Sequence, residues 1–283
     1  MFENLADDFK SILQQNLLDA EYKWLTDAIE EIKSAGISRK LYLNYSLCGT
    51  KIQNKILASL DAISNDLWNY LKIQKASKRE IARIYLLQAV LKASPTFKEP
   101  VRNLIQISDT SELETFLKYL VLLPEPENYQ FAAVEAIRTN ISTVFDAISK
   151  HNPYPSRYFS DQQWNQMFLK AAFMQQDLSA IVAIDERANT DLARIISDYA
   201  HERWAASRAV DPLFWRPISN FLNERLMEDV KRLFKSQNRK EQQAAALICS
   251  NSKFQMAKDL LNTYPKEKSN IELGLISWNT INE

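Results

Sequence analysis

The stretch Leu5-Ala6-Asp7-Asp8-Phe9-Lys10-Ser11-Ile12-Leu13-Gln14-Gln15-Asn16-Leu17 sets the rhythm of the whole chain. Leu5, Phe9, Ile12, Leu13 and Leu17 recur at i, i+4, i+7 and i+8, the stripe that an α-helix buries. Trp24, Leu25, Ala28, Ile29 and Ile32 repeat it and run out before Gly36. Residues 60–73 and 81–91 read as a further pair, joined through Ser77 with Glu80 three positions later. That spelling is a capping box, in which two side chains satisfy the orphan backbone donors of a helix start.

Beyond Pro95 the rhythm continues in shorter pieces. Their boundaries are marked by Pro100, Asp109-Thr110-Ser111, Pro124-Glu125-Pro126 and Asn140. Each marker either removes a backbone donor or offers a side-chain cap. The sharpest break is His151-Asn152-Pro153-Tyr154-Pro155, where alternate prolines favour an extended or turn segment. Ser160-Asp161 then starts a helix through Phe173, and residues 185–208 hold the longest helical run of the second half. Asp211-Pro212 caps the next helix, with proline in the first turn. The tail over 224–261 reads as three short amphipathic helices.

These readings predict an all-α chain: an irregular α–α superhelix or helical array with HEAT-like helix pairs. It reads as a single large domain over 1–283, with a bend near 151 between helical halves 1–150 and 156–283. The HEAT-like texture is strongest around Ala244-Ala245-Ala246-Leu247, and no sequence repeat recurs at a fixed period.

Composition narrows the function. Three glycines among 283 residues, Gly36, Gly49 and Gly274, cannot supply a phosphate-cradling loop or a dinucleotide turn. Thirty-five basic residues balance thirty-five acidic ones, which predicts no attraction to nucleic acid. Cys48 and Cys249 belong to no metal spacing and read as reduced thiols of a cytosolic protein. The acidic start Met1-Phe2-Glu3-Asn4-Leu5-Ala6-Asp7-Asp8 is no signal peptide, and no apolar run is long enough to span a bilayer. The expected location is cytoplasmic.

With only His151 and His201, acid–base and metal options are few. Asp198-Tyr199-Ala200-His201 has half of a di-iron spelling without its second copy, and Ala205 removes the His-Glu-x-x-His pattern. No metal site and no cofactor is expected. Along 185–208, Leu192, Ile195, Ile196, Tyr199 and Arg203 share one helix face, with Arg194, His201 and Arg208 on the opposite one. Asp198 stands within helical reach of Arg194 and His201, so that face forms a chain of ion pairs. Arg203, on the apolar side, needs a carboxylate, for which Asp185 and Glu186 are the candidates. The aromatics Trp164, Phe173, Trp204, Phe214 and Trp215 suit a core, or a pocket for a flat apolar molecule with arginine at its edge.

The segments Ala136-Ile137-Arg138-Thr139-Asn140-Ile141, Val144-Phe145-Asp146-Ala147-Ile148 and Trp164-Asn165-Gln166-Met167 carry a family resemblance. The strongest part is Asp185-Glu186-Arg187-Ala188-Asn189, followed by Asp198-Tyr199-Ala200-His201-Glu202-Arg203-Trp204-Ala205-Ala206 and Trp215-Arg216. Together they resemble the EboA family of metabolite traffic proteins, best over residues 130–220. The resemblance implies a cytoplasmic member of a gene cluster. Its other products resemble a prenyltransferase-like membrane protein and several TIM-barrel or sugar-enzyme-like proteins, and the cluster moves secondary-metabolite precursors between compartments. It implies no catalytic residues. The family usually has glycine where this chain has Ser207, so a differently shaped connector is expected there.

The function expected from these lines is a non-enzymatic helical binding or adaptor protein for metabolite trafficking. Its partners would be other proteins of the cluster or a small apolar metabolite, with no nucleic acid. The candidate binding residues are His151, Tyr154, Asp185, Arg187, Arg194, His201, Arg203 and Trp204. The competing expectation is an enzyme with a helical pocket, His201 acting as general base and Asp198 orienting it.

Overall fold

The structure, a computed structural model, describes residues 5–58 and 65–282. Those residues hold seventeen α-helices and no strand, and an isolated antiparallel bridge joins Ile56 and Ser77. The all-α expectation stands. The chain divides into two compact units, Met1–Tyr158 and Phe159–Glu283.

Each unit is organised around one helix buried on nearly all sides, as a helix without a polar face must be. In the first unit this is Lys78–Ala93, packed against Leu5–Asn16, Asp19–Ala35, Ser38–Lys51 and Thr110–Lys118. It buries Ile81, Ile84, Leu86, Leu87, Val90 and Leu91 together with Lys78, Arg83 and Gln88. Polar groups enter a core only when partnered. Accordingly, Lys78 Nζ meets Glu21 Oε2 at 2.9 Å and Gln88 Nε2 donates to the Leu122 carbonyl at 2.6 Å. Arg83 lies over the Tyr45 ring, with Glu112 3.7 Å away. In the second unit the central helix is Arg239–Asn251, whose run Ala244 to Cys249 is buried throughout. Small side chains there let Glu224–Phe234, Gln255–Asn262, Pro265–Glu272 and the stretch Pro212–Phe221 all pack against it.

Local chemistry explains most boundaries. The capping box at Ser77 and Glu80 is formed, and Ser160 with Gln163 makes another ahead of Asp161–Phe173. The fourth helix runs Asn65–Ile73, and the start expected at residue 60 lies outside the described residues. The tail forms the three expected helices and a fourth, Pro265–Glu272, which begins on its own proline.

Three expectations change. The turn at 151–155 contains a helix start: Tyr154–Tyr158 is α-helical, with Pro155 in the first turn, where its missing N–H costs nothing. Asn152 builds that start, its Oδ1 accepting from the Tyr154 N–H at 2.9 Å. The long run of the second half is Thr190–Ala205, capped by Asn189, whose side chain accepts from the Leu192 N–H. Residues 185–189 therefore lie before the helix and Arg208 beyond it. The stretch after Asp211 is a ten-residue 3-10 helix, Pro212–Phe221, with Pro217 inside it. An α-helix there would lose a ladder bond at Pro217 and clash with the preceding turn.

Glycine scarcity shows at helix ends. Among the described residues, four helices close with a left-handed residue whose N–H and successor's N–H satisfy the last carbonyls. Gly274 fills one such place, and Lys75, Gln175 and Ser207, at φ 50°, 56° and 56°, fill the other three. At Ser207 the two bonds are Ser207 N–H to Trp204 at 3.0 Å and Arg208 N–H to Arg203 at 2.8 Å. The connector thus adopts the turn a glycine would make, contrary to the expected change of shape.

Candidate functional site

The helices Asp161–Phe173 and Thr190–Ala205 pack together in the second unit. Each turns one stripe toward the same space: Gln166, Leu169, Lys170 and Phe173 on the first, Tyr199, Glu202, Arg203 and Ala206 along the second. Both stripes follow i, i+3, i+4, i+7, the spacing that normally marks a buried face. Here the faces part instead of closing. They leave a cleft of about 570 Å³ with mainly apolar walls and Arg208 at its margin. Phe173, the last residue of its helix, is 69% exposed.

The floor of this region is aromatic. Phe214 stacks on Phe168 at 5.5 Å and meets the edge of Tyr199 at 5.2 Å. Trp215, fully buried, stacks under Trp204 at 5.5 Å. The 3-10 stretch supplies both rings, which fixes Tyr199 and Trp204 from below. Arg203 lies over Tyr199, its centre 6.0 Å from the ring, and donates from Nε and Nη2 to the Ala209 carbonyl at 3.1 and 2.9 Å. Among the described residues no carboxylate pairs with it: Asp185 instead takes Arg216 in two bonds, at 2.9 and 2.7 Å. Burial lowers the Lys170 ammonium below the usual lysine range, so this cation is easier to neutralise than a surface lysine.

His201 belongs to a different contact. Its Nε2 is 2.6 Å from Asp229 Oδ1, and Ser197 donates to Asp229 Oδ2 at 2.7 Å. Asp198 is occupied by Arg194 at 3.1 Å and Arg225 at 2.6 Å. The expected Asp198–His201 pair is therefore replaced by a pair with a buried aspartate of the helix Glu224–Phe234. Ser197 reaches the carboxylate and not the imidazole, so the three residues do not form the nucleophile–base geometry of a hydrolase.

The remaining candidates divide between the units. In the first, His151 is exposed at φ 51°, while Tyr154 is wholly buried, its hydroxyl donating to the Pro126 carbonyl at 2.7 Å. In the second, Arg187 spans the Phe159 carbonyl at 2.9 Å and Asp161 at 3.1 Å, its centre 5.1 Å from the Trp164 ring centroid. Arg203 alone of the eight lines the cleft, and Trp204 lines a second hollow. Sequence reasoning missed Leu169, Lys170 and Glu202 as lining, although their helical spacing was on view. Both cysteines are buried, which pushes each thiol up to about 12. Among the described residues, no cluster of histidine, cysteine and carboxylates could hold a metal ion, and no helix is long and apolar enough to cross a membrane.

A protein-family model described as "Metabolite traffic protein EboA" matches residues 5–219, and the chain belongs to that family. No curated protein and no solved structure matches it. The matched span contains the whole cleft lining and stops short of Asp229.

Proposed function

We propose that this EboA-family chain is a non-enzymatic carrier that holds a small, largely apolar metabolite in the cleft between Asp161–Phe173 and Thr190–Ala205. The observation that carries the reading is the pair of facing stripes that leave about 570 Å³ unfilled. Ligand sites are typically apolar hollows of about 300–1,000 Å³ with a few polar groups that fix orientation. Tyr199 and Phe173 supply flat contact, and Arg203, already held by the Ala209 carbonyl, orients a polar edge. A carrier needs such binding without groups poised for chemistry, and His201 is engaged with Asp229 outside this lining.

The test is affinity purification from the native cell, with mass spectrometry of co-purifying proteins and small molecules. A stoichiometric small molecule that is lost in the Phe173→Ser variant supports the carrier. A stoichiometric protein partner without any small molecule rejects it and makes the helical surface an adaptor. Conversion of the bound molecule by the purified chain rejects the non-enzymatic part.

A further inference from the structure

Arg208 lines more than the apolar cleft. It is also a wall of a second hollow of about 510 Å³, together with Trp204, Arg232, Lys235 and Glu241. Through that shared residue the apolar space adjoins a cationic one. Lys170, Arg203, Arg208, Arg232 and Lys235 line the two hollows against only Glu202 and Glu241. Across the whole chain, acids and bases are equal in number, so this excess is local.

Cations also gather at helix C-termini for an ordinary reason, the negative end of the helix dipole. Thr190–Ala205 and Glu224–Phe234 both end here. Each terminus is equivalent to roughly half a negative charge, which leaves most of the excess uncompensated. Among the described residues, Arg208, Arg232 and Lys235 form no salt bridge, whereas Arg194, Arg216 and Arg225 nearby are all paired. Arg232 lies 4.0 Å over the centroid of Trp204, whose ring rests on the buried Trp215. A guanidinium held by its face keeps its in-plane N–H donors for an oxyanion.

We infer that the ligand is an amphiphilic anion, its hydrocarbon part between Phe173 and Tyr199 and its phosphate or carboxylate head among Arg208, Arg232 and Lys235. This rests on the carrier reading of the cleft and adds the chemical class of the cargo. A neutral cargo has no use for three unpaired cations at the mouth of its site. Bare phosphate has no use for the apolar walls.

The experiment titrates the full chain with octyl phosphate, octanol and inorganic phosphate, followed by calorimetry and by tryptophan fluorescence, since Trp204 stands in the head site. Octyl phosphate is expected to bind more than about tenfold tighter than octanol at low salt, the usual scale of charge-assisted hydrogen bonds. High salt should narrow the gap. Arg232→Gln with Lys235→Gln, two residues outside the cleft lining, should erase most of the preference and leave octanol binding unchanged. Both side chains are exposed, and a melting curve checks that the double variant is folded. Phe173→Ser should weaken both octyl probes alike. Equal affinity for octanol and octyl phosphate overturns the anionic head and leaves the cleft standing. Inorganic phosphate that binds as tightly as octyl phosphate overturns the joined site. Binding by none of the probes overturns the inference and the carrier reading together.

Discussion

His201 Nε2 lies 2.6 Å from Asp229 Oδ1, joining residues 28 apart in the chain. The carboxylate is 3% exposed, while the imidazole keeps 54% of its side-chain surface. A surface ring thus completes the solvation of an acid that the fold has taken out of water. Among the described residues, only the Ser197 hydroxyl, at 2.7 Å, shares that task.

Removal of the ring should therefore be a stability lesion. His201→Ala is expected to cost about 1–3 kcal/mol, the usual penalty for a buried acceptor left short of a donor. Arg194→Ala should leave the unfolding midpoint unchanged, because Asp198 keeps Arg225 at 2.6 Å and both arginines are exposed. Urea unfolding of the two single variants separates them. A His201→Ala chain of full stability would mean that water replaces the ring, and a binding role for His201 would regain ground.

Ser207 offers a test of opposite sign. At φ 56° a side chain costs energy that glycine avoids, and among the described residues no hydrogen bond of the Ser207 side chain repays it. Ser207→Gly is expected to stabilise the chain by up to about 1 kcal/mol, and Ser207→Val to destabilise it by more than that. Thermal melting of both variants gives the answer. If both melt with the parent, the turn does not limit stability.

The Glu21–Lys78 pair predicts a pH dependence. Burial alone would raise the Glu21 carboxyl. The Gln53 N–H at 2.8 Å, the Lys78 ammonium at 2.9 Å and the Leu18 N–H at 3.0 Å outweigh it and hold the carboxyl below the usual range. A carboxyl lowered by folding stabilises above its unfolded value, and that contribution is lost as pH falls through the folded one. Lys78→Met should cost about 3–5 kcal/mol at neutral pH by leaving a buried anion uncompensated. The deficit should shrink on acidification, as Glu21 is protonated, and Glu21→Gln added to Lys78→Met should recover much of it. Urea unfolding at neutral and acid pH measures both effects, and a deficit that ignores pH would show that lost packing dominates.

Much of the helical plan was legible because its causes are local. The stripe from Leu5 to Leu13, the Ser77–Glu80 and Ser160–Gln163 boxes and the Asp211–Pro212 cap each act within a few residues. Where the reading failed, a longer reach intervened. Asp198 stands one helical turn before His201, yet packing brings Asp229 from another helix and gives Asp198 two arginines. Arg203 needed a partner and found a backbone carbonyl at Ala209, which no side-chain pattern announces. Tyr154 stood in a proline-rich turn, yet the short helix that begins there carries it into the core.

The sequence by itself determined that the chain is helical, where several of its helices begin, and which family it belongs to. These follow from periodicity, capping and proline geometry, whose range is one or two turns of backbone. Only the tertiary structure decided that two stripes spaced for burial stand apart as a cleft. It also gathered Arg208, Arg232 and Lys235 around a second hollow that shares Arg208 with the cleft, and among the described residues none of the three forms a salt bridge. The physical reason is that a helical stripe reveals which side turns inward, whereas what it meets there depends on packing against elements tens of residues away.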